Sequence, residues 1–158
     1  MVDVAYTQTA TRRRAAYDSV PNKGDGPNLK VISSYRNPGA LTVGSTIFFG
    51  RFDSNTRLHG MSALQVSANA ASTTLAIGLA SVNNNFGAAV PAALLAATSI
   101  ATAGRVSIPG AANAGRMLWE IAGLSTDPGG QIDVYATTGG ATLNSSSDIL
   151  IEFAVTVD

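Results

Sequence analysis

Residues 58–81 read LHGMSALQVSANAASTTLAIGLAS (Leu58 to Ser81), and the fold follows from how this stretch alternates. Leu64, Val66 and Ala68 fall on one face of an extended segment, with Ala63, Gln65 and Ser67 on the other. Leu75, Ile77 and Leu79 share a face further on, opposite Thr74, Ala76, Gly78 and Ala80. Side chains alternate across a strand, so a period of two marks a half-buried sheet. Asn69 to Ser72 is small and polar, as a connection between strands is. The stretch is read as two strands and their connection, at the middle of a β-sandwich.

The same pattern recurs on both sides. Leu29 to Tyr35 is a short strand, and Asn37-Pro38-Gly39 a turn. Leu41 to Phe52 holds the next strand, most apolar at Ile47, Phe48 and Phe49, and Asp53 to Thr56 is a loop. Downstream, Arg105 to Ile108 is a short strand stopped by Pro109-Gly110. Arg116 to Ala122 reads as a strand with Met117, Trp119 and Ile121 together and Leu118 and Glu120 opposite. Asp127-Pro128-Gly129-Gly130 is a turn; Gln131 to Thr137 follows, with Ile132, Val134 and Ala136 inward. In Asp148 to Val157, Ile149, Ile151, Phe153, Val155 and Val157 line one face. One segment reads differently. Pro91 to Gly104 (PAALLAATSIATAG) has proline at a first turn, an alanine/leucine body and a closing glycine, and predicts a short helix. The expected fold is all-β: an antiparallel, jelly-roll-like sandwich of about eight strands over residues 29–158, with at most one short helix.

Residues 1–28 predict an extended N-terminal arm. They show no sustained apolar period and carry Pro21, Gly24, Gly26 and Pro27. Such a segment buries too little to order itself without a partner. Fully extended, it reaches roughly 90 Å. Tyr6, Val20 and Tyr17 are its candidate anchors, and Arg12-Arg13-Arg14 its sharpest charge feature. Arginine suits bidentate contacts with carboxylates or phosphates; the run reads equally as a solvated tail. The β domain shows no basic stripe or aromatic platform, so nucleic-acid binding is not expected as a main function.

Charged residues make up 13% of the 158 residues, about half the common share of roughly 25%. So uncharged a surface suits stable contact with other protein; a monomer with a Ser/Thr/Asn surface is the other reading. Formal charge is balanced, yet residues 1–36 carry six basic and three acidic side chains, and the remainder four basic and seven acidic. With no cysteine, thiol catalysis and thiolate metal sites are excluded. No run reaches the roughly 20 apolar residues of a membrane helix. The N-terminus lacks a signal-peptide core, so a soluble protein made in the cytoplasm is expected.

Chemistry is thinly signalled. His59 is the single histidine and has no nucleophile motif with it, which favours packing. Glu120 and Asp133 would face each other across neighbouring strands, as a glycosidase pair does, but both sit on polar faces where solvated carboxylates are ordinary. Trp119 is a sugar-stacking candidate, and its neighbours Met117 and Ile121 favour the core instead. The Asn144-Ser145-Ser146 sequon has no meaning without a secretory route. No catalytic residue, metal or cofactor is expected.

The order IFFGRFDSNTRLHGMSALQVSANAASTTLAIGLASV, PAALLAATSIATAGRV, MLWEIAG, GGQIDVYATTGG and DILIEFAVTV, over roughly residues 45–157, resembles small structural proteins of tailed bacteriophages. Capsid decoration (cement) proteins with a β-sandwich or jelly-roll body fit best. The resemblance implies a non-enzymatic virion protein on the capsid exterior, binding across junctions of the major capsid protein. It also implies dimers or trimers and a terminal arm that clamps neighbouring subunits. No binding motif transfers residue by residue. Position and chemistry therefore nominate Tyr6, Arg12, Arg13, Arg14 and Tyr17 as the capsid-binding arm. Tail or head–tail junction proteins and a carbohydrate-binding attachment module are the rival readings.

Overall fold

The computed structural model describes residues 4–6, 29–82 and 87–157. The described residues form ten strands: β1 (Val4–Tyr6), β2 (Lys30–Arg36), β3 (Thr46–Asp53), β4 (Thr56–Leu58), β5 (Ala63–Val66), β6 (Thr74–Ser81), β7 (Val90–Ser99), β8 (Gly104–Ser107), β9 (Gln131–Gly139) and β10 (Ile149–Val157). They build a six-stranded sheet, β1-β2-β10-β5-β8 with β4 also on β10, and a four-stranded sheet, β3-β9-β6-β7. Every pairing is antiparallel.

The pairings nest. β6 pairs with β7, β5 with β8, β3 with β9 and β2 with β10. The body is one long hairpin, doubled back between β6 and β7 and rolled so that its pairs fall alternately in the two sheets. This is a jelly roll of eight strands, to which β1 and β4 add short edge pieces. The stretch 58–81 sits at the fold of that hairpin. Its two strands lie in different sheets, β5 between β10 and β8 and β6 between β9 and β7.

The faces follow the alternation. Leu64, Leu75, Ile77, Leu79, Ile132, Ala136, Ile149 and Ile151 are fully buried. The core is aliphatic, with Phe49 and Phe153 the largest buried side chains. Phe52 meets Phe153 edge-to-face at 5.1 Å. Ala68 is exposed, because β5 ends at Val66.

Two expectations are overturned. Pro91 to Gly104 is not a helix: Val90–Ser99 is β7. Alanine's helix propensity is worth only tenths of a kcal/mol over most residues, and pairing with β6 outweighs it. The strand is irregular, with register shifts between Leu75 and Ile77 and between Ile77 and Leu79 on its partner. Arg116 to Ala122 is not a strand: Leu118–Ile121 forms a one-turn helix, α1. Helical spacing buries Leu118 with Ile121, where alternation placed them on opposite faces. The Met117 amide donates to Glu120 Oε2 (2.8 Å), satisfying one of the donors that a helix start leaves open.

Candidate functional site

Within the expected arm, Tyr6 ends β1, opposite Ile32 of β2. Arg12, Arg13, Arg14 and Tyr17 lie outside the described residues.

The two open flanks of the sandwich are each bridged by a side chain. On one, Arg36 of β2 donates to the Phe48 carbonyl of β3 (3.3 Å). On the other, Asn113, in a 3-10 turn after β8, donates to the Ala93 carbonyl of β7 (3.1 Å). These bonds occupy main-chain acceptors at the sheet edges, which otherwise recruit strands from other molecules.

The outer faces differ in chemistry. On the six-stranded sheet, one row runs Tyr35, Leu150, Gln65, Arg105. Arg105 reaches Glu152 at 3.4 Å, both exposed to solvent. Tyr35 is 55% exposed, and its hydroxyl donates to Asp148 Oδ1 at 2.5 Å. That hydrogen bond holds the phenol above its ordinary pKa, with desolvation and the Asp148 charge adding to it. On the four-stranded sheet, successive rows are Thr46, Thr137, Ala76; then Phe48, Tyr135, Gly78; then Arg51, Asp133, Ala80. Arg51 and Asp133 form a bidentate ion pair (2.7 and 3.0 Å). Residues 58–104, which supply β5, β6 and β7, hold no Asp, Glu, Lys or Arg. The overall shortage of charge is therefore concentrated in the fold of the long hairpin.

The structure gives none of the candidate catalytic groups a partner for chemistry. His59 Nε2 lies 3.2 Å from Thr156 Oγ1, joining the turn before β5 to β10. Glu120, on α1, accepts from the Met117 amide, and Asp133, on β9, pairs with Arg51 of β3. Because 116–122 is not a strand, no cross-strand carboxylate pair forms. Trp119 packs against the core, and its Nε1 points at Met117 Sδ (3.2 Å). Asp127 is a turn residue: its Oδ1 accepts from Ser54 Oγ and from the Gly129 amide. A gap lined by Phe52, Leu58, Leu118, Val134, Phe153 and Val155 is wholly apolar and too narrow for water. Among the described residues no three His, Asp or Glu side chains are placed to hold a metal ion, and no helix is long and apolar enough to cross a membrane. The described residues present two outer sheet faces and the sheet edges for contact.

No protein-family model matches the chain, and neither does any curated protein. Among solved structures, a chain of the capsid of Ralstonia phage GP4 is similar, with a TM-score of 0.60 at 14% sequence identity. The likeness covers 87% of this chain and 90% of that one. At this identity it is a likeness of fold, extending over most of both chains.

Proposed function

We propose that the protein is a non-enzymatic component of a phage virion. It decorates the capsid exterior and stabilises it by binding across junctions between major capsid protein subunits. The observation that carries this reading is the agreement in fold with a chain of the capsid of Ralstonia phage GP4 over 87% and 90% of the two chains. The charge-poor surface supports it, since uncharged faces are buried against protein at little desolvation cost. The N-terminal segment makes the clamp: Arg12, Arg13, Arg14 and Tyr17 contact the capsid, with Tyr6 at the anchored end. A contact of about 1,600 Å² suffices for specific binding, and many symmetry-related copies multiply its effect.

The test is co-sedimentation with expanded phage capsids. Three proteins are compared: the full chain, a chain lacking residues 1–28, and Arg12→Ser/Arg13→Ser/Arg14→Ser, which keeps β1. The expected result is binding at hundreds of copies per capsid by the full chain and a strong reduction in both variants. Binding at a dozen copies or fewer assigns the protein to a head–tail junction or tail. Undiminished binding by both variants removes the arm from the interface, and no binding by any form overturns the decoration reading.

A further inference from the structure

The geometry points to β1 as an exchangeable strand: the edge of β2 accepts the Val4–Tyr6 segment of a second copy of this chain through the same contacts as its own. Copies are then linked by swapped strands, independently of whether they sit on a capsid.

The inference rests on a mismatch of lengths. β1 covers only three positions of β2, placing Val4 opposite Ser34, Ala5 opposite Ser33 and Tyr6 opposite Ile32. On its other side β2 pairs with β10 over all of Lys30 to Arg36, without a register shift. Yet residues 7–29, 23 in all, separate β1 from β2, where consecutive strands paired as a hairpin are ordinarily joined by about 2–5. A tight turn dictates which chain's strand fills an edge; a connection this long does not. The contacts made are the same in either arrangement, because the two chains are identical. Only the closure cost differs, and it grows with loop length.

Concentration then decides. A short flexible tether is equivalent to a local concentration on the order of millimolar, and a longer one to less. In dilute solution the chain's own β1 therefore fills its edge. Where copies are crowded to a similar concentration, a neighbour's β1 competes. Residues 7–29 span at most roughly 80 Å when extended, which is ample for a neighbouring molecule of this size.

The other edges are poorer acceptors. β3 has its Phe48 carbonyl taken by Arg36 and a register shift between Phe48 and Gly50. β7 contains Pro91 and two register shifts. β8 is four residues long and carries Arg105. The segment offered is apolar or uncharged at each of its three positions, Val4, Ala5 and Tyr6.

The absence of cysteine gives a direct test. Opposed residues of an antiparallel pair have Cα atoms about 4.5–5.5 Å apart, within disulfide reach. Full-length Ala5→Cys and Ser33→Cys are mixed in equal amounts and oxidised, at concentrations from micromolar to millimolar. Linked chains are read on non-reducing gels and by mass. The expected product is the mixed disulfide-linked pair, rising with concentration and several-fold above that from Ala5→Cys mixed with Gln65→Cys, whose exposed position on β5 lies off the β1 ladder. The double variant Ala5→Cys/Ser33→Cys is expected to close within one chain when dilute and between chains when concentrated. Closure within one chain at every concentration, with the single variants pairing no better than the Gln65 control, overturns the proposal. If no combination links, β1 does not occupy the edge of β2 and the proposal falls as well. Capsids take no part in this readout, so its outcome is separate from that of the decoration reading.

Discussion

Gly78 marks where two strands approach too closely for a side chain. A Cβ there would run into the Pro91 backbone and the Val90 carbonyl, where β7 crosses β6. Gly78→Ala is therefore expected to cost about 1–3 kcal/mol, as overpacking does. That is a fall of several degrees in the thermal midpoint for a domain of this size. An unchanged midpoint would mean that β7 yields freely at Pro91. The Arg51–Asp133 pair makes the contrast. Its Arg51 side chain is 48% exposed, and Arg51→Ala should leave the thermal midpoint nearly unchanged, because solvent screens an exposed ion pair. Tyr35 supplies a pH-dependent reading. Its phenol is held above the ordinary 10.0, first by the hydrogen bond to Asp148. The fold therefore favours the protonated phenol. Whatever stability this adds is complete below the unfolded value of 10.0 and is lost as pH rises through the folded one. Asp148→Ala should bring the Tyr35 midpoint down toward 10.0 in an NMR titration of the tyrosine rings. Tyr135 serves as the internal reference: burial, not a carboxylate, raises its pKa, and it should not move. If Tyr35 stays high in the variant, Asp148 is not the cause.

β10 is the element on which the six-stranded sheet depends. It carries β2 along one edge and β5 followed by β4 along the other, and buries Ile149, Ile151, Phe153 and Val155. Removing residues 150–158 should abolish cooperative unfolding as followed by circular dichroism. Removing residues 1–28 takes only the three-residue β1 from the described structure and should leave a cooperative transition. A C-terminally truncated chain that still melts cooperatively would contradict this assignment. β10 was also plain in the sequence, as were β6 and β9, because each alternates large buried aliphatics with small or polar residues. β7 was hidden because it buries little beyond Leu94 and is otherwise mostly alanine and leucine, residues that local propensity assigns to helix. α1 was hidden for the opposite reason: one turn is too short to show a helical period, and Met117, Trp119 and Ile121 mimic a strand by chance. The division of residues 58–81 between two sheets was not readable at all, since a strand's period gives its faces and not its neighbours. The candidate site was legible only as composition. Shortage of charge was visible, but its concentration in the fold of the rolled hairpin needed the pairing of β5 with β8 and β6 with β7.

At the scale of the whole molecule, charge is divided between an N-terminal region rich in arginine and a body whose central stretch has none. This division separates two modes of contact that respond differently to salt. Exposed arginine–carboxylate contacts weaken as the Debye length shrinks from about 10 Å at 0.1 M salt to about 3 Å at 1 M. Burial of uncharged sheet surface does not weaken, and strongly excluded salts reinforce it. Under the proposed decoration function, capsid co-sedimentation of the full chain should fall as sodium chloride is raised across that range and then level off. The plateau is the share contributed by the uncharged body, and the fall is the share contributed by Arg12, Arg13 and Arg14. Replacing the three arginines with glutamine should give a chain that binds weakly at low salt and loses little more as salt is raised. A full chain whose binding ignores salt would move the contact to the uncharged faces of β6 and β7. There Ala76→Lys or Ala80→Lys, placing a charge on the outer face beside Thr137 or Asp133, should then weaken it where the arginine variant does not.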